Sequence, residues 1–208
     1  MDVREMGEWA QALIHSRCNV SPKRLVEPGP DAAQLERIVR AAAAAPDHGR
    51  LLPWRFILVP GHKRALLAQA FVQALQERDA AATAQQLESA HEKAFRAPVL
   101  LVAVVGFATG AATTVDAGPE ALAPGTPVHD NERLVSLGCA IQNMLLMAHA
   151  EGWGSGLTSG QAMQSRALRE LLSLAAHEQA VCCINLGTVS RHKGGAPRPL
   201  PALYFSSL

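Results

Sequence analysis

The chain has 208 residues, 49% hydrophobic and 18% charged, enough apolar mass for one globular domain with a sizeable core and too much for a disordered or collagen-like chain. Lys and Arg number 19 and Asp and Glu 18, a formal charge of +1, so no broad field is available to hold nucleic acid or an anionic bilayer. Aromatic residues are only 4%, so the core is expected to be Ala, Leu and Val on closely packed helices.

Residues 6–14 place Met6, Ala10, Leu13 and Ile14 at helical spacing, and polar residues up to Pro22 end the period. Asp31 stands as an N-cap, and Leu35, Ile38, Val39 and Ala42 continue a second helix that should stop at Pro46. Residues 54–59 read as a short buried strand between Pro53 and Pro60-Gly61. Residues 63–95 lack Gly and Pro, which favours one long helix or two with a break near 79–83. Residues 99–105 are continuously apolar and largely β-branched, as in a strand covered on both faces.

Residues 106–131 are an aperiodic run of Gly, Ala, Thr and Pro, expected to be a long functional loop or lid. The most apolar helix is expected over 132–150, with Leu134, Leu137, Ile141, Met144, Leu145 and Ala148 along one side. A glycine-rich loop is expected over 152–160 and a helix over 166–174. Residues 180–189 read as a strand with Cys182, Ile184 and Leu186 alternating against Cys183 and Asn185. Pro197, Pro199 and Pro201 exclude a helix over 194–208, which should lie extended on its own surface or a partner's. Residues 1–208 thus read as a single domain with one long loop and a C-terminal arm.

Cys18, Cys139, Cys182 and Cys183 form no CxxC pair, and Asp2, Arg4, Glu5 and Glu8 do not make a signal peptide, so a reducing cytoplasm is expected. Adjacent Cys182 and Cys183 point to opposite faces of a strand, which suits two small buried hydrophobes better than a redox pair. Gly152, Gly154, Gly156 and Gly160 let backbone approach something flat or charged. A dinucleotide fingerprint leaves a strand, whereas this run leaves a helix, so it reads as a plain turn or a cofactor loop of another kind. His48, between Pro46 and Pro53, is either a connection residue or a ligand contact. Arg17 near Lys23 and Arg24, and Arg191 with Lys193, are each ordinary solvated charges that could close together on one phosphate.

In this order the pieces resemble the flavin-dependent nitroreductase family, specifically its short, minimal branch, over almost the whole chain. The family's first helix and Arg-Arg-Ser loop are matched by Leu13-Ile14-His15-Ser16-Arg17-Cys18-Asn19. Its Ala-Pro helix end and Gln-Pro-Trp strand start are matched by Ala45-Pro46-Asp47-His48 and Leu52-Pro53-Trp54-Arg55-Phe56. Its central helix resembles Gly138-Cys139-Ala140-Ile141-Gln142-Asn143-Met144-Leu145-Leu146, and its glycine-rich segment resembles residues 152–160. Leu186-Gly187-Thr188 and Arg191-His192-Lys193 match its last strand and basic turn. Ser16-Arg17 or Arg17-Cys18 replaces the paired arginines, Ala44 replaces an arginine, and Leu157-Thr158 replaces Trp-Arg.

The resemblance implies an α+β fold, a nitroreductase-like sheet flanked by helices, in an intertwined homodimer with one FMN in each of two clefts lined by both subunits. It implies that Arg17, Cys18, Asn19, His48, Leu157, Thr158, Ser159, Arg191 and Lys193 contact FMN, with no catalytic side chain and no metal. It further implies that NAD(P)H passes hydride through FMN to a nitroaromatic, quinone or related small acceptor by a ping-pong cycle. The alternative is a flavin- or ligand-binding module of the same fold without turnover, which the missing arginines favour.

Overall fold

The computed structural model describes residues 2–108, 128–194 and 197–208, so most of the loop expected over 106–131 lies outside the described residues. Helix α1 (Val3–Ser16) opens with Asp2, whose carboxylate accepts from the Glu5 N–H at 2.8 Å while the Glu5 carboxylate accepts from the Asp2 N–H. The same reciprocal cap, Asp31 with Gln34 and Thr83 with Gln86, opens α2 (Ala32–Arg40) and α4 (Ala84–Glu92). Helix α3 (Arg64–Arg78) stops where Asp79 takes extended backbone, φ −139° and ψ 92°, and Thr83 caps the next helix, so the Gly- and Pro-free run makes two helices. Helices α5 (Asp130–Ala150) and α6 (Arg166–Leu171) complete the α-helices among the described residues.

Among the described residues five strands form one antiparallel sheet in which β2 (Trp54–Leu58), β3 (Val99–Gly106) and β5 (Glu178–Val189) lie side by side. The outer edge of β5 carries β4 (Gly154–Thr158), with Gly156 opposite Asn185, and then the two-residue β1 (Leu25–Val26), with Leu25 opposite Val189. Alternation along β3 and β5 divides the core. Leu101, Ala103, Val105, Cys182, Ile184 and Leu186 pack with α5 and Ile38 of α2, whereas Leu100, Val102, Val104 and Cys183 pack with α3 and α6. The strand expected to be covered on both faces is covered on both faces.

Arg64 is buried, and its guanidinium donates to the carbonyls of Val59 at 2.8 Å, Ala94 at 2.7 Å and Pro98 at 3.1 Å. One side chain thereby ties together the end of β2, the turn after α4 and the approach to β3, and burial lowers its pKa.

Two expectations are corrected. The glycine-rich run 152–160 is not a loop: residues 154–158 are strand β4, held by the ladder to β5. The arm is not extended throughout, because the Leu203 and Tyr204 N–H groups donate to the Leu200 and Pro201 carbonyls in a 3-10 turn, where Pro at the first position loses no needed donor. Among the described residues no helix is long and apolar enough to cross a membrane.

Candidate functional site

Helix α1 ends because Arg17 takes extended backbone, φ −65° and ψ 129°, and residues 17–20 then run along the outer edge of β4. The Val20 N–H donates to the Ser155 carbonyl at 2.8 Å, and the Leu157 N–H donates to Asn19 Oδ1 at 2.9 Å. A Cβ on Gly156 would stand 1.9 Å from the Val20 carbonyl oxygen, so glycine is what permits this approach. Beyond its last residue, Val189, strand β5 delivers Arg191, His192 and Lys193 to the same place, and Arg24 Nη1 donates to the Arg191 carbonyl at 3.1 Å.

These segments enclose a cleft of about 200 Å³ whose lining includes Arg17, Cys18, Asn19, Arg24, His149, Trp153, Arg191, His192 and Lys193. Among the described residues four permanent cations and two histidines line it, and no Asp or Glu does. Such a wall favours a phosphate or another strong anion. Trp153 Nε1 is buried without a hydrogen-bond partner. An indole N–H can only donate and is ordinarily satisfied when buried, so Trp153, which lines the cleft, keeps an unpaired donor. Ser16 Oγ meets His149 Nε2 at 2.7 Å, joining the ends of α1 and α5. Nearby, Arg37 grips Glu151 in a fork at 2.8 and 3.2 Å, which raises the Arg37 pKa and fixes α2 against the chain entering β4.

Arg17, Cys18, Asn19, Arg191 and Lys193 are therefore brought together as one group. Leu157, 37% exposed, stands farther along β4. Thr158 and Ser159 line a different cavity, where Thr158 Oγ1 accepts from Asn185 Nδ2 at 3.1 Å and Ser159 Oγ donates to the Val181 carbonyl at 2.8 Å. His48 Nδ1 donates to Glu132 Oε2 at 2.5 Å near the start of α5, and this bond holds the Glu132 carboxyl below its ordinary value. From Glu132 to His149 the helical rise is about 25 Å, so His48 and Arg17 of one chain do not share a small ligand.

Burial pushes the Cys182 thiol up to about 11 and the Cys183 thiol up to about 12. Both stay protonated and unreactive at neutral pH, one in each core layer. Sequence reasoning missed Trp153 and His149 as lining residues. Trp153 stood inside a run already singled out, but His149 gave no signal, since its partner Ser16 is 133 residues away.

The family model described as "Nitroreductase family" matches residues 23–188. A Haemophilus influenzae protein named provisionally as an NAD(P)H nitroreductase is 33% identical over 168 residues, covering 81% of this chain and 83% of its own. The crystal structure of a nitroreductase-like family protein from Bacillus cereus superposes with a TM-score of 0.77 at 17% identity, covering 95% of each chain. A nitroreductase with bound FMN from Bacteroides fragilis gives a TM-score of 0.66 at 18% identity, covering 95% of this chain and 97% of its own.

Proposed function

From the premise that the chain belongs to the nitroreductase family, we propose that it is an oxidoreductase that binds FMN in the Arg17 cleft and passes hydride from NAD(P)H to a nitroaromatic, quinone or related acceptor. The convergence of Arg17, Arg191 and Lys193 on one carboxylate-free cleft carries this reading. Bound there, FMN would supply the hydride-transfer chemistry of the cycle.

The residues suit that group. Arg17 and Arg191 offer planar forks and Lys193 a point charge for the phosphate. Arg24 steadies the 191–193 turn through the Arg191 carbonyl. Leu157-Thr158 takes the place of the family's Trp-Arg pair farther along β4, and both side chains are smaller than those they replace. Two-ring quinones should therefore be accepted at least as readily as small nitroarenes.

His48 reaches such a site only from a second copy of the chain. A homodimer would also cover the surfaces that one chain leaves bare, with Met6, Trp9 and Ile14 on α1 and Leu203, Tyr204 and Phe205 on the arm all exposed. Arg198 Nη2 donates to the Arg17 carbonyl at 2.6 Å, anchoring the base of that arm at the cleft.

The test compares FMN with riboflavin, which lacks the phosphate. Arg17→Ala should weaken FMN binding by roughly 1.5–3 kcal/mol, the worth of hydrogen bonds to a charged group, and leave riboflavin nearly unchanged. Equal losses for both would place the phosphate elsewhere. Steady-state NAD(P)H oxidation with menadione, at roughly 1–10³ per second for an ordinary enzyme, separates an oxidoreductase from a flavin-binding module that holds the cofactor without turnover.

A further inference from the structure

On the sheet face opposite α5, a second cavity of about 380 Å³ lies among β4, β5, α3 and the segment joining α4 to β3. It shares no lining residue with the Arg17 cleft. Phe71, Leu75, Leu100 and Met163 give it an apolar interior. Its volume falls in the ordinary range for small-molecule sites.

The polar wall formed by Thr158, Ser159 and Asn185 is satisfied within the protein, since Asn185 Nδ2 donates to the Gly156 carbonyl and to Thr158 Oγ1, each at 3.1 Å, and Ser159 donates to Val181. The cations are not satisfied in that way. Among the described residues Arg78, Lys93 and Arg96 line the cavity, and no Asp or Glu does. Arg96 Nε is buried and has no hydrogen-bond partner among the described residues, although its side chain is 19% exposed. Its Nη2 makes only a long bond to the Ser89 carbonyl, 3.4 Å, and stands 3.8 Å from the exposed Glu92 carboxylate. Arg96 also lines the neighbouring groove that holds Glu92, so its guanidinium stands between the two, and its planar fork can grip a carboxylate with two parallel bonds once it turns from Glu92 to the cavity.

We propose that this cavity binds an amphipathic organic monocarboxylate, with the carboxylate on Arg96 and one aromatic ring or a medium-length acyl chain among Phe71, Leu75, Leu100 and Met163. A bare phosphate fits less well. Only one guanidinium edge is buried, the Arg78 and Lys93 side chains come from separate elements and stand exposed, and most of the wall has nothing to offer a tetrahedral dianion.

The proposal is independent of the assignment of the Arg17 cleft. Its test is a calorimetric titration of the purified full-length protein with octanoate, octanamide and inorganic phosphate. Octanoate should bind one per chain, with the neutral amide and phosphate each at least about tenfold weaker. Arg96→Gln should lower octanoate affinity by at least about tenfold, Arg78→Gln with Lys93→Gln by about threefold, and Arg17→Ala should leave it unchanged. The rim pair is exposed, so that variant reports even if Arg96→Gln does not fold. Absence of saturable octanoate binding would overturn the proposal, as would octanamide or phosphate binding equally well. Release of bound flavin by octanoate, read as a rise in flavin fluorescence, would overturn it too by making the two sites one.

Discussion

Gly156→Ala tests the contact that shapes the Arg17 cleft. The added methyl would lie 1.9 Å from the Val20 carbonyl oxygen, 3.1 Å from the carbonyl carbon and 3.7 Å from Asn19 Oδ1. The two nearest atoms are backbone, so no side-chain rotation relieves the overlap. Ordinary contact begins at 3.4 Å, and the 19–20 segment must withdraw by about 1.5 Å. That movement breaks the Val20 bond to Ser155 and strains the Leu157 bond to Asn19, a loss of about 0.5–1.5 kcal/mol each. It also uncovers part of the small core of Val20, Leu25 and Ala97, at roughly 1 kcal/mol or somewhat more. Reduced freedom of the unfolded chain returns about 0.4–1 kcal/mol. The net destabilisation is about 1–3.5 kcal/mol, which lowers Tm by about 2–14 °C for a domain of this size. Because residues 17–19 move off Arg191 and Lys193, FMN affinity should fall by at least about tenfold. Thermal unfolding at fixed protein concentration and a fluorescence titration with FMN read the two effects. Gly61→Ala, where nothing lies within 4 Å of the added carbon, is the control. A Gly156→Ala protein with the parent's Tm and FMN affinity would refute the claim that the packing of residues 19–20 on β4 forms the site.

Arg64→Leu leaves three carbonyls, those of Val59, Ala94 and Pro98, without their shared donor. Urea unfolding should show a loss of about 2–5 kcal/mol, at roughly 1–3 kcal/mol per unsatisfied group with partial rescue by water, and a loss under 1 kcal/mol would show that water replaces the guanidinium fully. Glu178 accepts both prongs of Arg55, at 2.6 and 2.8 Å, and this bond holds its carboxyl below the ordinary value. A depressed carboxyl stabilises the fold above its unfolded pKa of about 4.3, and the contribution disappears as pH falls through the lower folded value. Stability plotted against pH below about 5 should therefore fall less steeply in Glu178→Gln than in the parent, and parallel curves would remove this pair from the acid response.

Residue order alone was enough for the elements whose signal is local. The break between α3 and α4, the two-sided β3 and the alternation of Cys182, Ile184 and Leu186 against Cys183 and Asn185 are all periodicities of burial. The family resemblance likewise rested on short runs that survive as local structure. Strand β4 was hidden because glycine is a poor strand former, and Gly154 and Gly156 are in the sheet only because β5 on one side and residues 19–20 on the other hold them there. Strand β1 was hidden because two residues have no period, and their pairing with Thr188 and Val189 is decided more than 160 positions away. Arg17, Arg191 and Lys193 were legible as cations, but one cleft required the exit of α1 and the exit of β5 to meet beside β4. The unsatisfied donors of Trp153 and Arg96 lay beyond any reading of the chain. Period and propensity act over a few neighbours, whereas the burial of one nitrogen atom is set by every segment packed around it.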